Sequence, residues 1–344
     1  MEYTTIYEYP SGELERSWRE CLMRAECPAH YDSPEYFRDP YWSGQTPFAI
    51  LAQDGGQVTG VLTGLHTGKQ VISGLASRPQ ICVDATRDSG TILDALLRGL
   101  MAEAKDAELI TVYTWSHVPL PGFGARGFRS RELEGNVVLD LTLGAEKLFA
   151  NFPKDRRRNI RFAEKNGVEI REATSEQDIK DAYDVYARWR ETDRKEIKGK
   201  GRTFEVFSEA ARLKNNRLVL VGRVEGKPIA MNLFRFCRGG LFESAANSSL
   251  EEYMHLKPND LLQWRGIEWA CANGMKRHSL GGAHSFLRRF GGTIVPVWRY
   301  RLDRTFLRKH DLEETVRRVG RETVEKMPEG IGKKVMGLLR PNGH

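Results

Sequence analysis

The chain has 344 residues, more than one hydrophobic core usually absorbs, so length alone predicts two domains. A hydrophobic fraction of 40%, an aromatic fraction of 10% and a charged fraction of 29% describe a folded globular protein and exclude a disordered one. The formal net charge of +7 favours an anionic partner, such as nucleic acid, a phosphorylated substrate or an acidic membrane surface, and no apolar run reaches the roughly 20 residues of a membrane span.

In chain order, the spacing predicts an amphipathic helix over Gly12 to Ala25, strands over Phe48 to Gln53 and Val58 to Leu65 about a turn at Asp54-Gly-Gly, and further strands at Lys69 to Leu75 and Ile81 to Val83. Ile92, Leu96, Leu100 and Ala104 share one face of a helix within Thr91 to Ala107. A strand at Glu108 to Trp115, a turn-rich loop from Pro119 to Gly127 and a strand from Asn136 to Leu143 close a first domain near Gly144. The second half repeats this plan. Helices at Ala145 to Asn166 and Gln177 to Arg190 flank a strand at Val168 to Glu172, a loop spans Glu196 to Arg202, and another helix covers Phe204 to Lys214. Strands at Arg217 to Val224, Pro228 to Phe236 and Gly240 to Ala246 are joined by Glu225-Gly-Lys and Arg238-Gly-Gly, the short connections of hairpins. The expected fold class is α/β with mixed sheets, divided as residues 1–144, 145–305 and a basic helical tail, 306–344.

The informative stretch follows the third of these strands. Pro258 marks the first turn of a helix running to Asn273-Gly274, with Asn259 and Asp260 available to cap its free amides. Such a terminus accepts phosphate or carboxylate, and Lys257 adds a charge beside it, so Lys257, Asn259 and Asp260 are candidate donor-binding residues. A plain capped helix is the competing reading. A strand at Met275 to Leu280 and the pair Gly281-Gly282 come next.

Pro258-Asn-Asp-Leu-Leu-Gln-Trp, the helix end Ala270-Cys-Ala-Asn-Gly, Ser279-Leu-Gly-Gly and Phe286-Leu-Arg-Arg-Phe-Gly-Gly resemble the carboxyl-terminal signature of tandem GNAT-type acyltransferases. That group includes the Fem aminoacyl-transferases of peptidoglycan bridge synthesis and the BioF2-like acetyltransferase-domain proteins. The segment from Phe152 to Ile170 is similar to the family's entry into its second domain. The resemblance implies two GNAT-like domains in tandem with the substrate site in the cleft between them, and acyl-CoA or aminoacyl-tRNA as a cosubstrate rather than a tightly bound cofactor. Two departures bear on the donor. Leu287 stands where Fem-type sequences carry lysine, leaving Arg288 or Arg289 to substitute, and Ser279 stands where aspartate is common, with His278 before it in place of an aromatic residue. Together with the lack of a long charged helical insertion, these departures favour a small donor over aminoacyl-tRNA.

Acyl transfer to an amine needs a route for the ammonium proton, donors for the oxyanion and an acid for the leaving group. Glu243 is a candidate base, and Tyr253, His255 and His284 are candidate proton relays; each also reads as an ordinary surface polar residue. Arg157, Arg161 and Lys165 fall on one helix face, a stripe suited to an anionic substrate, a tRNA backbone or lipid headgroups, or simply a solvated face paired with Glu164 and Glu169. Ile331, Val335, Leu338 and Leu339, interspersed with Lys333, Lys334 and Arg340, suggest a short basic helix for peripheral contact with an anionic membrane, or one packed on the body. The five cysteines form no C-x-x-C pair, no metal-ligand cluster is spaced in the sequence, and neither a P-loop nor a G-x-G-x-x-G is present. The start, Met1-Glu-Tyr-Thr-Thr, has no signal-peptide pattern, so a cytoplasmic location is expected, with a possible position at the inner face of the membrane. The expected function is acyl or aminoacyl transfer to an amino group in cell-envelope or polysaccharide metabolism; the alternative is a catalytically inactive GNAT-like module that binds anions or a membrane.

Overall fold

The computed structural model describes residues 1–42, 44–75, 78–193 and 201–325. Strand β1 (Glu2–Ile6) leads into α1 (Gly12–Arg24), whose apolar spacing turns Trp18, Cys21 and Leu22 inward. Short 3₁₀ turns carry the chain through His30–Asp32, Pro34–Arg38 and Pro40–Trp42. Strands β2 (Thr46–Asp54), β3 (Gln57–Thr67), β4 (Gln70–Ser73) and β5 (Ile81–Val83), helix α2 (Ser89–Glu103) and strands β6 (Leu109–Trp115) and β7 (Arg129–Asp140) complete the first half. The second half begins with α3 (Ala145–Asn151) and α4 (Lys154–Lys165), one helical pattern in the sequence that is divided in the structure where Pro153 removes an amide donor. It continues through β8 (Glu169–Glu172), α5 (Glu176–Arg188, started by a Ser175–Asp178 capping box), α6 (Phe204–Arg212), β9 (Arg217–Val224), β10 (Lys227–Phe236), β11 (Leu241–Ser249), α7 (Pro258–Ala272), β12 (Arg277–Ser279), α8 (Ser285–Arg288), β13 (Thr293–Asp303) and α9 (Lys309–Glu325).

The thirteen strands among the described residues form one mixed sheet in the order β1-β2-β3-β4-β6-β13-β7-β12-β11-β10-β9-β8, with β5 on β3. The order contains the expected repeat, with one modification. In the first half β4 pairs in parallel with β6, and in the second half β11 pairs in parallel with β12. The last strand of each half then crosses over: β7 pairs with β12, while β13 pairs with β6 as well as β7. The sheet is therefore continuous across residue 144, and Tyr300 of β13 lies in the core of the first half, stacked on Phe123 at 3.9 Å. Gly292, at φ +90, permits this crossing, because a Cβ there would sit 2.6 Å from the Val138 carbonyl oxygen.

Strands β1 and β13 are absent from the sequence reading, helix α9 falls within the helical tail expected over 306–344, and β7 begins at Arg129 rather than Asn136. The added turn of β7, Arg129 to Glu134, is largely exposed and charged; its pairing with β13, not burial, makes it a strand. In β13 the register shifts around Pro296, which cannot donate to the ladder. The loop predicted at Glu196 falls mostly outside the described residues, as does the basic helix predicted from Ile331 to Arg340.

Candidate functional site

Strands β11 and β12 run side by side only from Leu241 to Glu243 and Arg277 to Ser279; β11 then continues to Ser249 with no strand on that edge. Between Leu233 and Phe234 of β10 the register with β11 shifts, so Ala245 is an extra residue that bends β11 away from its neighbour. A cavity of about 560 Å³ occupies the opening. Its floor is the free stretch of β11 from Ser244 to Ser249, one wall is Asn259 and Gln263 of α7, and the other is Leu280, Gly281 and His284, with Trp189 at one end. Gly281, at φ +85 and close to the Ser244 carbonyl oxygen, turns the chain out of β12 at the point of divergence.

Helix α7 starts beside this cavity. Lys257, in the left-handed conformation (φ 60, ψ 38), occupies the N-cap position, Pro258 follows, and no side chain caps the amides. The sequence reading assigned capping to Asn259 and Asp260, but both lie inside the first turn and point elsewhere. Asp260 is buried in an ion pair with Arg156, itself 1% exposed, and receives a 3.5 Å hydrogen bond from Asn159. Asn259 accepts a hydrogen bond from the Ser249 hydroxyl. The positive end of the helix is thus left to Lys257 and whatever anion approaches it.

Beneath the cavity a buried polar chain ties α7 to the sheet. The Ser244 hydroxyl donates to Asn232 (3.2 Å), the Asn232 amide donates to Gln263 (3.2 Å), and the Gln263 amide meets His278 Nε2 (2.5 Å). His278 Nδ1 lies 3.0 Å from the Phe242 carbonyl oxygen. With Nδ1 as donor and Nε2 as acceptor every link is satisfied by neutral imidazole. Burial pushes the His278 pKa down to about 4, in agreement with that tautomer.

Glu243 is the last β11 residue paired with β12 and is 2% exposed. Its Oε1 accepts a 3.0 Å hydrogen bond from Arg78 of the β4–β5 loop; its Oε2 lies 3.4 Å from His30 Nδ1 and has no hydrogen-bond partner. Burial, then the nearby Arg217, Arg235 and Arg78, hold His30 well below the usual histidine range. Arg78 and His30 come from the first half of the chain, so the apex of the opening is built from both halves. Sequence reasoning missed His30, Arg78, Arg235 and Gln263. Arg78 stands just before Pro79 and His30 two residues after Pro28, and no local periodicity marks either.

The structure places the remaining predicted residues as follows. His284 and Asn259 line the cavity, and Lys257 stands at the adjacent helix start. Tyr253 packs against the core with Lys227 over its ring at 5.2 Å, and His255 is exposed; neither lines the cavity. Arg288 contacts the Ala283 carbonyl and Glu134, and Arg289 is paired with Asp155. Neither is among the residues that line the cavity. Arg157 is half-buried, while Arg161 and Lys165 are exposed on the outer side of α4, Arg161 lying over the Phe149 ring at 5.5 Å. This stripe does not border the cavity. Among the described residues no group of three or more His, Cys, Asp or Glu is gathered as for a metal ion, and no helix is long and apolar enough to cross a membrane.

Residues 150–289 match the family model described as "Acetyltransferase (GNAT) domain". Among solved structures, FemX is similar at TM-score 0.66 and 13% identity, over 88% of this chain and 98% of FemX. The C-terminal domain of a putative lysylphosphatidylglycerol synthetase from Agrobacterium fabrum gives TM-score 0.61 at 14% identity, over 88% of this chain and 96% of that one. A tandem GNAT protein from the clavulanic acid biosynthesis pathway gives TM-score 0.54 at 14% identity, over 89% and 99% respectively. A sequence comparison with curated proteins returns no match. The chain thus has the tandem GNAT fold, and its match to a GNAT-domain sequence model lies in the second half.

Proposed function

We propose that this protein is an N-acyltransferase that takes a small activated donor, an acyl-CoA, in the second half and passes the acyl group to an amine held at Glu243. The observation that carries this reading is the opening between β11 and β12 leading to an uncapped helix start. An extended donor chain with amide groups of its own continues the sheet along the free edge of β11, while its phosphates meet the amides of α7 and Lys257. Its reactive carbonyl then lies near Ser244, beside Glu243.

The chemistry is direct transfer. The amine nitrogen attacks the thioester carbon, the carbon–sulfur bond breaks as the amide forms, and the thiolate leaves to be protonated. Glu243 Oε2, unpartnered in the free protein, binds the incoming ammonium and takes one proton from it to free the attacking lone pair; the second proton lost from nitrogen as the amide forms goes to the leaving thiolate. Arg78, 3.0 Å from Oε1, holds the carboxylate in place. Free backbone amides of β11 serve the developing oxyanion.

The likeness to FemX and to a lysylphosphatidylglycerol synthetase domain supports a setting in cell-envelope metabolism and keeps aminoacyl-tRNA as the second reading of the donor. The exposed stripe Arg157, Arg161 and Lys165 offers RNA phosphates a surface, but it stands apart from the cavity. Thermal stabilisation of the intact chain separates the donors. Saturable stabilisation by acetyl-CoA or a longer acyl-CoA, with none by aminoacyl-tRNA, is the expected result; stabilisation by neither would leave an inactive anion-binding module.

A further inference from the structure

On the α5 and α6 side of the sheet, beyond the apolar core those helices cover, three charged residues stand in register on adjacent strands: Arg217 on β9, Arg235 on β10 and Glu243 on β11. The 3₁₀ segment of the first half closes over this row with His30, Tyr31 and Asp39. All six side chains are less than a tenth exposed. Arg78 reaches in from the β4–β5 loop, so that the Tyr31 ring lies near two guanidinium groups, Arg78 at 4.6 Å and Arg235 at 5.3 Å.

The ion pairs in this layer leave one charge over. Arg217 pairs with Asp39 at 2.5 Å, and Arg78 with Glu243 at 3.0 Å. His30 makes no hydrogen bond, and the surrounding arginines favour its neutral form. Among the described residues Arg235, 4% exposed, makes no side-chain hydrogen bond and no ion pair; the Tyr31 and Tyr41 rings lie by it, each at 5.3 Å. The buried hydroxyls of Tyr31, Tyr36 and Tyr41 are also without partners. Arg202, half-buried over the same Tyr41 ring, adds to the positive field. A buried guanidinium without a counter-ion is costly, and so many orphaned polar atoms in one layer are unusual in a finished core.

We infer that Arg235 is the anchor of a ligand site for a monocarboxylate, and that the carboxylate belongs to the amine acceptor, a compact amino acid. The second part rests on the acyl-transfer reading above. One uncompensated positive charge matches one carboxylate, whose planar pair of oxygens fits the guanidinium fork, whereas a phosphate dianion brings one negative charge too many. Arg235 and Glu243 are directly opposed on neighbouring strands, where side chains start roughly 5 Å apart. A carboxylate on Arg235 therefore leaves an amino group one or two carbons away facing the unpartnered Oε2 of Glu243. A donor in the β11–β12 opening and an acceptor held on Arg235 then meet at Glu243, the β11 residue that opposes Arg235.

The test is calorimetric titration of the intact chain without donor, at pH 8 and constant ionic strength, with acetate, L-alanine, L-alaninamide and inorganic phosphate, alongside thermal melts. Saturable binding of acetate, binding of L-alanine at least tenfold tighter than L-alaninamide, and phosphate no tighter than acetate are expected. Arg235→Met should abolish the acetate response and melt no lower than wild type in buffer without carboxylate, because removing a lone buried charge relieves the fold; an arginine serving only as packing would leave a less stable protein. Should that variant not fold, Arg235→Lys, which keeps the charge but not the fork, should weaken L-alanine about tenfold. Absence of saturation by both acetate and L-alanine, tighter binding of phosphate, or an unchanged response in the Arg235 variants would overturn the assignment. Acetyl-CoA binding, measured in the same samples, is expected to persist in Arg235→Met. Its absence in wild type with L-alanine binding intact would overturn the acyl-transfer reading and spare the carboxylate site.

Discussion

The two halves of the sheet place a helix between a parallel pair of strands in the same way, α2 between β4 and β6 and α7 between β11 and β12, yet the two helices begin differently. Helix α2 is capped by its own Asp88, whose carboxylate accepts a 2.9 Å hydrogen bond from the Thr91 amide. An incoming anion there meets a resident one. Helix α7 starts at Lys257 with no side-chain cap. The strands differ in step with the helices. Strand β11 runs on past the divergence, whereas β4 stops at Ser73 and the loop that follows carries Arg78 out to Glu243. The cavity beside α2, about 360 Å³, is lined by residues such as Ile81, Cys82, Leu93 and Trp115. In the proposed reading one half thus keeps the means of binding a phosphate-bearing donor, while the equivalent loop of the other half reaches Glu243 through Arg78.

Substitutions that blur this contrast should have graded effects. The largest is expected at the apex: Glu243→Gln removes the proton acceptor while retaining a hydrogen bond for Arg78, and kcat/KM for acyl transfer should fall about 100-fold or more with acetyl-CoA affinity little changed. Next, Lys257→Asp gives the second half the acidic cap of the first; the residue tolerates the left-handed backbone, and acetyl-CoA affinity measured by calorimetry should drop about tenfold. The reverse manipulation, Asp88→Ala, should lower the melting temperature by a few degrees and, if the donor binds in the second half as proposed, leave acetyl-CoA affinity unaltered.

The smallest effect concerns the buried chain under the cavity. His278 should stay neutral in an NMR titration until the pH approaches about 4. Its folded-state pKa lies below the unfolded value of 6.5, so its contribution to stability is present in full above pH 6.5 and is lost as the pH falls towards 4, at roughly 1.4 kcal/mol per pH unit. A His278 resonance that titrates near 6.5 would mean that the Gln263 link is not made.

The sequence made the local parts legible. Apolar spacing located α1, α2 and α5, glycine and polar turns located the β9–β10–β11 meander, and Pro258 fixed the start of α7. What it hid was whatever depends on partners distant in the chain. Strand β7 from Arg129 to Glu134 is charged and exposed and is a strand because β13 lies beside it. Asp260 looked like a cap because its position in the sequence suits one, but Arg156, 104 residues away, claims it. Arg78 and Glu243 are 165 residues apart, and their meeting depends on the crossover of β7 and β13 that joins the two halves. Glu243 was named from its place at a strand end, while the residues that surround it were not.

The account rests on the donor lying in the second half and not the first. Amide hydrogen exchange on the intact chain, with and without acetyl-CoA, tests that most directly. Added protection concentrated at Ser244–Ser249 and the first turn of α7, with no change at Ser89–Ile92, is the expected result. Protection at the start of α2, or none at either place, would contradict it.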